Sequence, residues 1–329
     1  MAQTAFVTGA SGFVGGALTR SLLNDGWNAR ALARSDAAAR RVEELGAEAV
    51  RGDLGSASSI AIGAAGCEVA FHAAALPSEW GTREEFERAN VTGTANALSG
   101  CRDAKVPRLV HVGTEAACFD MQPLVRIDET APLRPDSSVL YSATKAQAEQ
   151  LVVAANAPDF ETVVLRPRLV WGPDDPNILP GFAEAIEAGR FTWVDDGAHL
   201  TSTTHIDNAV RGLRLAAERG RAGEAYFVTD GEPVVFREFI TELLGTQGVT
   251  PPSRNTPRSV LRAAAAASEA AWRALPLRGE PPVTRLAYFL LANDATIEIG
   301  KAREELGYEP ATTIAEGMAE LRAGVAEAG

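Results

Sequence analysis

The chain has 329 residues, 46% of them hydrophobic and 22% charged, and its 43 acidic and 31 basic side chains leave a formal charge of −12. At this length roughly three quarters of the unfolded surface can be buried, so a core forms without a metal or disulfide, in one large domain or two modest ones. The acidic balance opposes nonspecific attraction to phosphate backbones and anionic headgroups, and argues against a nucleic-acid or membrane-surface role.

Cys67, Cys101 and Cys118 lack C-x-x-C spacing, so neither a disulfide framework nor a thiolate zinc site is expected, and a reducing cytoplasm is the expected compartment. The opening Met1-Ala2-Gln3-Thr4 has no basic segment ahead of a long apolar one and reads against a signal peptide. No uninterrupted apolar run approaches the ~20 residues of a membrane span. Ser268 and Glu269 break the alanine-rich stretch 263–271.

In chain order, short runs rich in Val, Ala, Leu and Phe fall near 4–8, 28–33, 47–51, 67–73, 107–112 and 160–166, with helical patterns between them. This alternation predicts an α/β fold with a doubly wound parallel sheet. Later elements are less regular: helices near 180–188 and 205–218, then a strand-like Ala225-Tyr226-Phe227-Val228. Proline breaks at 173–180, 251–252 and 281–282 suggest a smaller, interleaved α+β domain.

The first chemical signal is Thr8-Gly9-Ala10-Ser11-Gly12-Phe13-Val14-Gly15, which follows the first strand directly and opens a helix. Glycines there let the backbone turn tightly and approach a pyrophosphate at the positive end of the helix. The spacing is G-x-x-G-x-x-G; a turn that only packs helix on strand is the competing reading.

The end of the second strand discriminates between the nicotinamide cofactors. An acidic residue there suits the ribose hydroxyls of NAD, and an arginine suits the extra phosphate of NADP. The sequence places Ala33 and then Arg34 at that point, which favours NADP(H), while Asp36 two residues later keeps NAD(H) open. Asp53, in Gly52-Asp53-Leu54 after the third strand, is placed either to meet the adenine edge or to serve as an ordinary turn aspartate.

The second signal is Tyr141-Ser142-Ala143-Thr144-Lys145 at the head of a predicted helix. Spacing of four puts phenol and ammonium on one face, where the cation is expected to lower the tyrosine pKa for proton exchange with a carbonyl or alcohol. Thr114 ends the fifth strand at the carboxyl edge where open α/β sheets bind ligands, with a hydroxyl to donate to a carbonyl or to a local backbone group. His72 and His111 sit at strand ends and read as structural. His199 and His205 lack a third ligand in sequence, so no metal is expected.

Together these segments resemble the extended short-chain dehydrogenase/reductases, the NAD-dependent epimerase/dehydratase superfamily. The resemblance is carried by TGASGFVG (8–15), GDL (52–54), FHAAA (71–75), RANVTGTANAL (88–98), HVGTEA (111–116), YSATK (141–145), LRPRLVWGP (165–173), THIDNAV (204–210), AYFVTDGEPV (225–234) and KAREELGYEP (301–310). THIDNAV and the RPRLVWGPDD loop look most like the 3β-hydroxysteroid dehydrogenase branch, and the Arg34 position is similar to dihydroflavonol reductases. The resemblance implies a Rossmann sheet with the dinucleotide on Gly9, Ser11, Gly12, Phe13, Val14 and Gly15. It implies Arg34 at the 2′-phosphate, Asp53 and Leu54 at adenine, and Ala73 and Ala74 beside the ribose. Pro167 and Val170 would line the carboxamide. Thr114, Tyr141 and Lys145 would form the catalytic group, Tyr141 and Lys145 also touching cofactor, with Asn90 supporting a proton relay through water. A homodimer through helices near 83–103 and 141–155 is implied as well.

The motif order divides the length into a dinucleotide-binding part, 1–170 with 203–232 returning to it, and a substrate part, 171–202 and 233–329. The expected activity is hydride transfer between the cofactor and a ketone or secondary alcohol on a hydrophobic, steroid-like or other bulky small-molecule substrate, with Tyr141 as acid/base. Leu261, Trp272, Leu275, Leu286, Phe289 and Leu290 make the expected substrate wall apolar, although helix-core packing explains them equally. A nucleotide-sugar epimerase is the alternative, and a cofactor-sensing protein without turnover a further one. Dehydration is disfavoured because Glu115 is followed by Ala116 rather than by a second acid.

Overall fold

Thr4–Thr8 (β1) buries Ala5, Phe6 and Val7 completely, as a parallel strand covered on both faces must. The computed structural model describes residues 2–328 apart from positions 276 and 278. Around β1 lie Asn28–Ala33 (β2), Glu48–Arg51 (β3), Val69–His72 (β4), Arg108–Val112 (β5), Glu161–Pro167 (β6) and Ala225–Val228 (β7). Every pairing is parallel and the spatial order is β7-β6-β5-β4-β1-β2-β3. The order reverses between β1 and β4, and that reversal opens a crevice at the carboxyl ends of the strands.

Parallel strands require crossovers, and helices supply them on both faces. Phe13–Asn24 (α1) follows β1, Gly93–Asp103 (α2) precedes β5, Leu140–Ala154 (α3) precedes β6, and Ile206–Arg219 (α4) precedes β7. On one face α1 and α4 lie side by side, Arg214 reaching Ser21 and Asp25. On the other, Gly100 of α2 lets the helix close onto Ala57–Ala64, since a Cβ there would stand 2.6 Å from the Ala57 carbonyl oxygen.

A second sheet of four short strands has the order Val234–Val235, Leu200–Thr201, Ala295–Ile297, Leu124–Ile127. Helices Ile178–Glu187, Phe236–Gly245, Arg258–Ala274 and Arg285–Ala292 accompany it. Trp171, Phe182, Trp193, Phe236 and Phe239 fill its aromatic core. Ile299, Ala302, Leu306 and Tyr308 then return to the core of the large sheet, where the Tyr308 hydroxyl donates to the Thr229 carbonyl. Among the described residues no helix is long and apolar enough to cross a membrane.

Candidate active site

The loop between β1 and α1 is glycine-rich because side chains do not fit it. Gly9 has φ +80°, and a Cβ there would lie 2.6 Å from the Ala74 nitrogen. At Gly15 a Cβ would lie 2.3 Å from the Gly9 carbonyl oxygen. Gly12 is exposed, and its N–H donates to the Gly9 carbonyl at 2.9 Å. As the residue capping α1 without a side-chain hydrogen bond, it leaves the helix N-terminus open for an anion. Ser11, Phe13 and Val14 are each half-buried around this turn. The loop therefore fits a dinucleotide, with backbone, not side chains, at the phosphates.

β1 and β4 end side by side at the switch point, where the half-buried Ala73 and Ala74 follow His72. Thr8 Oγ1 lies 2.7 Å from His72 Nδ1, while His72 Nε2 lies 3.0 Å from Thr94 Oγ1. Because Thr94 donates its own proton to the Asn90 carbonyl, His72 carries its proton on Nε2 and accepts at Nδ1. Burial and the Lys145 charge bring its pKa down to about 3. This histidine ties strands and helix together as a neutral group.

Arg34 is exposed at the end of β2, and Asp36 beyond it pairs with Arg51 at 2.7 Å. Asp53 is exposed and accepts a hydrogen bond from the Gly55 N–H at 2.7 Å, a turn contact that leaves carboxylate lone pairs facing solvent. The Leu54 carbonyl accepts from Asn96 Nδ2 at 2.7 Å. Pro167 is buried at the end of β6, and Val170 pairs in parallel with Thr204. Arg34, Arg51 and the N-terminus of helix Asp36–Glu44 thus share one corner, where Asp36 pairs with Arg51.

Thr114, Tyr141 and Lys145 are brought together at the carboxyl end of β5. Lys145 Nζ donates to the Val112 carbonyl at 2.7 Å and approaches His111 Nε2 at 3.4 Å. His111 therefore keeps its proton on Nδ1, which is buried without a hydrogen-bond partner. Burial lowers the Lys145 pKa to about 8, with Glu149 pulling the other way.

Two expectations are corrected here. The Tyr141 pKa is raised, not lowered: burial and the neighbouring Glu115 charge push it up, and only the Thr114 hydroxyl pulls it down. The Thr114 hydroxyl does not stand free for a carbonyl, since it donates to Glu115 Oε2 at 2.9 Å and accepts from the Ala116 N–H.

Asn90 sits 2% exposed in a π-helical turn, Glu87–Thr92, whose extra residue rotates the side chain inward. Its Oδ1 accepts from the Leu76 N–H at 2.7 Å, and its Nδ2 donates to Thr144 Oγ1 at 3.1 Å. Asn90 so fastens the segment after β4 to the tyrosine helix.

Beneath this group lies buried charge that no motif spacing marks. Glu115 accepts from Arg168 Nη1, and both side chains are buried. Its signal in sequence is the second arginine of RPRLVWGP, the first, Arg166, being paired with Glu149. His205, lacking partners in sequence, is flanked in the fold by Asp207 and Glu320, each at 3.7 Å. Both carboxylates are exposed, and the trio lies beside α4, away from the tyrosine.

An open parallel sheet with a glycine cradle at its switch point and a Tyr-x-x-x-Lys pair at its carboxyl edge defines an NAD(P)-dependent oxidoreductase acting on CH–OH groups. The chain belongs to the 3-beta hydroxysteroid dehydrogenase/isomerase family, whose model matches residues 6–258. It is similar to the 4-hydroxy-2-methyl-3-oxo-4-farnesyl-3,4-dihydroquinoline-1-oxide ketoreductase of Stigmatella aurantiaca, 49% identical over 96% of this chain and 95% of that one. It is also similar to the 2-alkyl-3-oxoalkanoate reductase of Stenotrophomonas maltophilia, 37% identical over 96% of this chain and 98% of that one. Among solved structures, that of gox2253 superposes with a TM-score of 0.79 at 29% identity, covering 99% of both chains.

Proposed function

We propose that the protein is an NADP-preferring ketone reductase for a bulky hydrophobic substrate, with Tyr141 as the proton donor. The observation that carries this reading is the convergence of Tyr141, Lys145 and Thr114 at the carboxyl edge of the sheet, beside the Gly9–Gly15 cradle. When bound, the nicotinamide cofactor supplies hydride. Tyr141 holds the proton to be delivered to the substrate oxygen, and Lys145 brings positive charge to the same helical face. Thr114 orients the phenol, and Asn90 keeps the loop that ends in Leu76 against α3.

Two features support a hydrophobic substrate. Phe119 and Phe289 stack with ring centroids 3.7 Å apart, and Tyr141, Met121 and Leu286 border the same apolar cluster. The two curated relatives are named for a farnesylated ketone and a 2-alkyl-3-oxoalkanoate. The preference for NADP is supported by Arg34 and Arg51 at the corner beyond β2, where Asp36 is already paired.

The test is a spectrophotometric screen of the purified protein with NADPH and NADH against bulky ketones, 3β-hydroxysteroids and UDP-sugars. Ketone-dependent oxidation of NADPH is expected, and Tyr141→Phe should reduce it by roughly 10²–10⁴-fold while cofactor affinity stays within a few fold. Epimerisation of UDP-sugars without net cofactor turnover, or an unaffected Tyr141→Phe variant, would overturn the reading.

A further inference from the structure

His205 caps α4 with its side chain wholly buried, and its two ring nitrogens have different surroundings. Nδ1 accepts from the Asp207 N–H at 3.3 Å, whereas Nε2 is buried without a hydrogen-bond partner. A buried polar atom in that state costs free energy and is uncommon in folded proteins. Backbone, not side chain, closes around it: a Cβ at Gly172 or at Gly317 would stand 3.0 Å from Nε2. Gly317 lies on the C-terminal helix, Ile314–Ala328, and three residues later Glu320 comes round to the same face. Glu320 Oε2 is 3.7 Å from Nε2, too far for a hydrogen bond.

A cation shared by two donors sets a different spacing. Bonds of about 2.1 Å that meet at a tetrahedral or trigonal angle hold their donor atoms roughly 3.4–3.6 Å apart, close to the separation found here. Asp207 completes the group: one nitrogen of His205 and one oxygen from each carboxylate all lie within 4.8 Å of one another. Among the described residues, His205 is the ionic partner of both carboxylates, and Asp207 Oδ2 also accepts from the Thr312 hydroxyl at 3.3 Å.

We propose that His205, Asp207 and Glu320 form a binding site for one divalent transition-metal ion, which fastens the C-terminal helix to the start of α4. The site goes beyond the reductase reading and does not depend on it. Its two carboxylates balance the charge of the ion, and Asp207 in the first turn offsets the positive end of α4. The imidazole favours zinc, cobalt or nickel over magnesium and calcium, which take oxygen donors. With the ion on Nε2 the ring proton resides on Nδ1, where Asp207 Oδ2 stands 3.7 Å away. Three protein donors leave one tetrahedral position to water. Asp207 and Glu320 also line the cleft between α1 and α4, together with Gly12, Phe13 and Arg20, so an ion can enter from solvent. Motif spacing could not supply this third ligand, since Glu320 reaches His205 only through the fold.

The experiment uses the full chain without an affinity tag, stripped with EDTA and dialysed. Co²⁺ is added first, because its visible absorption distinguishes a four- or five-coordinate protein site from the aqueous ion. Saturation at one Co²⁺ per chain is expected, with the colour lost on adding Zn²⁺. Calorimetric titration then measures Zn²⁺ itself. Both carboxylates are exposed, so Asp207→Asn and Glu320→Gln should fold. Each should weaken Zn²⁺ at least about tenfold, since loss of even an outer-shell partner costs about 10–100-fold. Zn²⁺ should raise the melting temperature of the protein and not that of either variant. Glu218→Gln, which removes another acid from the same cleft, should bind Zn²⁺ as the unaltered protein does.

Failure to saturate at one ion per chain, or Zn²⁺ affinity unchanged in both carboxylate variants, overturns the proposal. None of these measurements reads enzyme activity, so failure of the reductase reading would leave their outcome standing.

Discussion

Lys145 keeps its ammonium nitrogen against the Val112 carbonyl and His111 with 3% of the residue exposed, and burial draws its pKa from 10.5 to about 8. The unfolded chain holds this proton up to pH 10.5 and the folded chain only to about 8. Between those values the unfolded state binds more protons, so stability rises with pH across that window and is lowest where the buried ammonium is charged. Denaturant unfolding of the protein and of Lys145→Met at both ends of the window isolates the effect. The cofactor-free protein should gain on the order of 3 kcal/mol relative to the variant between pH 8 and 10.5. A parallel response of the two proteins would show that the ammonium is not desolvated. A bound anionic cofactor should flatten the difference by favouring the charged form.

At the scale of elements, the strand–loop–helix unit at the N-terminus is built on distances that one methyl group breaks. Gly15→Ala places a carbon 2.3 Å from the Gly9 carbonyl oxygen, so α1 must move away from β1. Overpacking of this kind costs about 1–3 kcal/mol, and the variant should melt lower and lose NADPH binding together. Gly12→Ala meets only the Gly9 carbonyl oxygen, at 3.3 Å, and should keep its melting temperature more nearly while still losing affinity. Thermal melts alongside NADPH titrations check both; equal melting losses would remove the distinction.

The same unit was legible in sequence because backbone sterics dictate glycine locally. The six early strands lie within about two residues of their predicted positions, since β-branched and small apolar runs between polar turns leave little choice. What could not be read is whatever depends on contacts distant along the chain. Leu124–Ile127 finds its partner at Ala295–Ile297, and Arg168 meets Glu115 and Thr201 from across two sheets. The direction of the Tyr141 pKa belongs to this second kind. Helical spacing places Lys145 near the phenol, but only the fold shows Glu115 there and the lysine turned to Val112.

For the whole molecule, a formal charge of −12 should repel an anionic dinucleotide, yet the cradle is built to receive one. Two opposing dependences on salt follow. If long-range repulsion governs binding, added salt screens it and NADPH binds more tightly; if local cations govern, added salt weakens binding. At 0.15 M ionic strength the screening length is about 8 Å, so charges far from the cradle are largely screened and the corner with Arg34 and Arg51 dominates. NADPH affinity should therefore fall as salt is raised. NADH, which lacks the 2′-phosphate, should respond less, and Arg34→Ala should bring the NADPH response close to that of NADH. Titration of both cofactors over a range of salt concentrations measures these slopes. If NADPH bound more tightly as salt increased, or if Arg34→Ala weakened both cofactors equally, the site at the end of β2 would not be reading the extra phosphate. The overall acidity, and not the arginine corner, would then control cofactor capture.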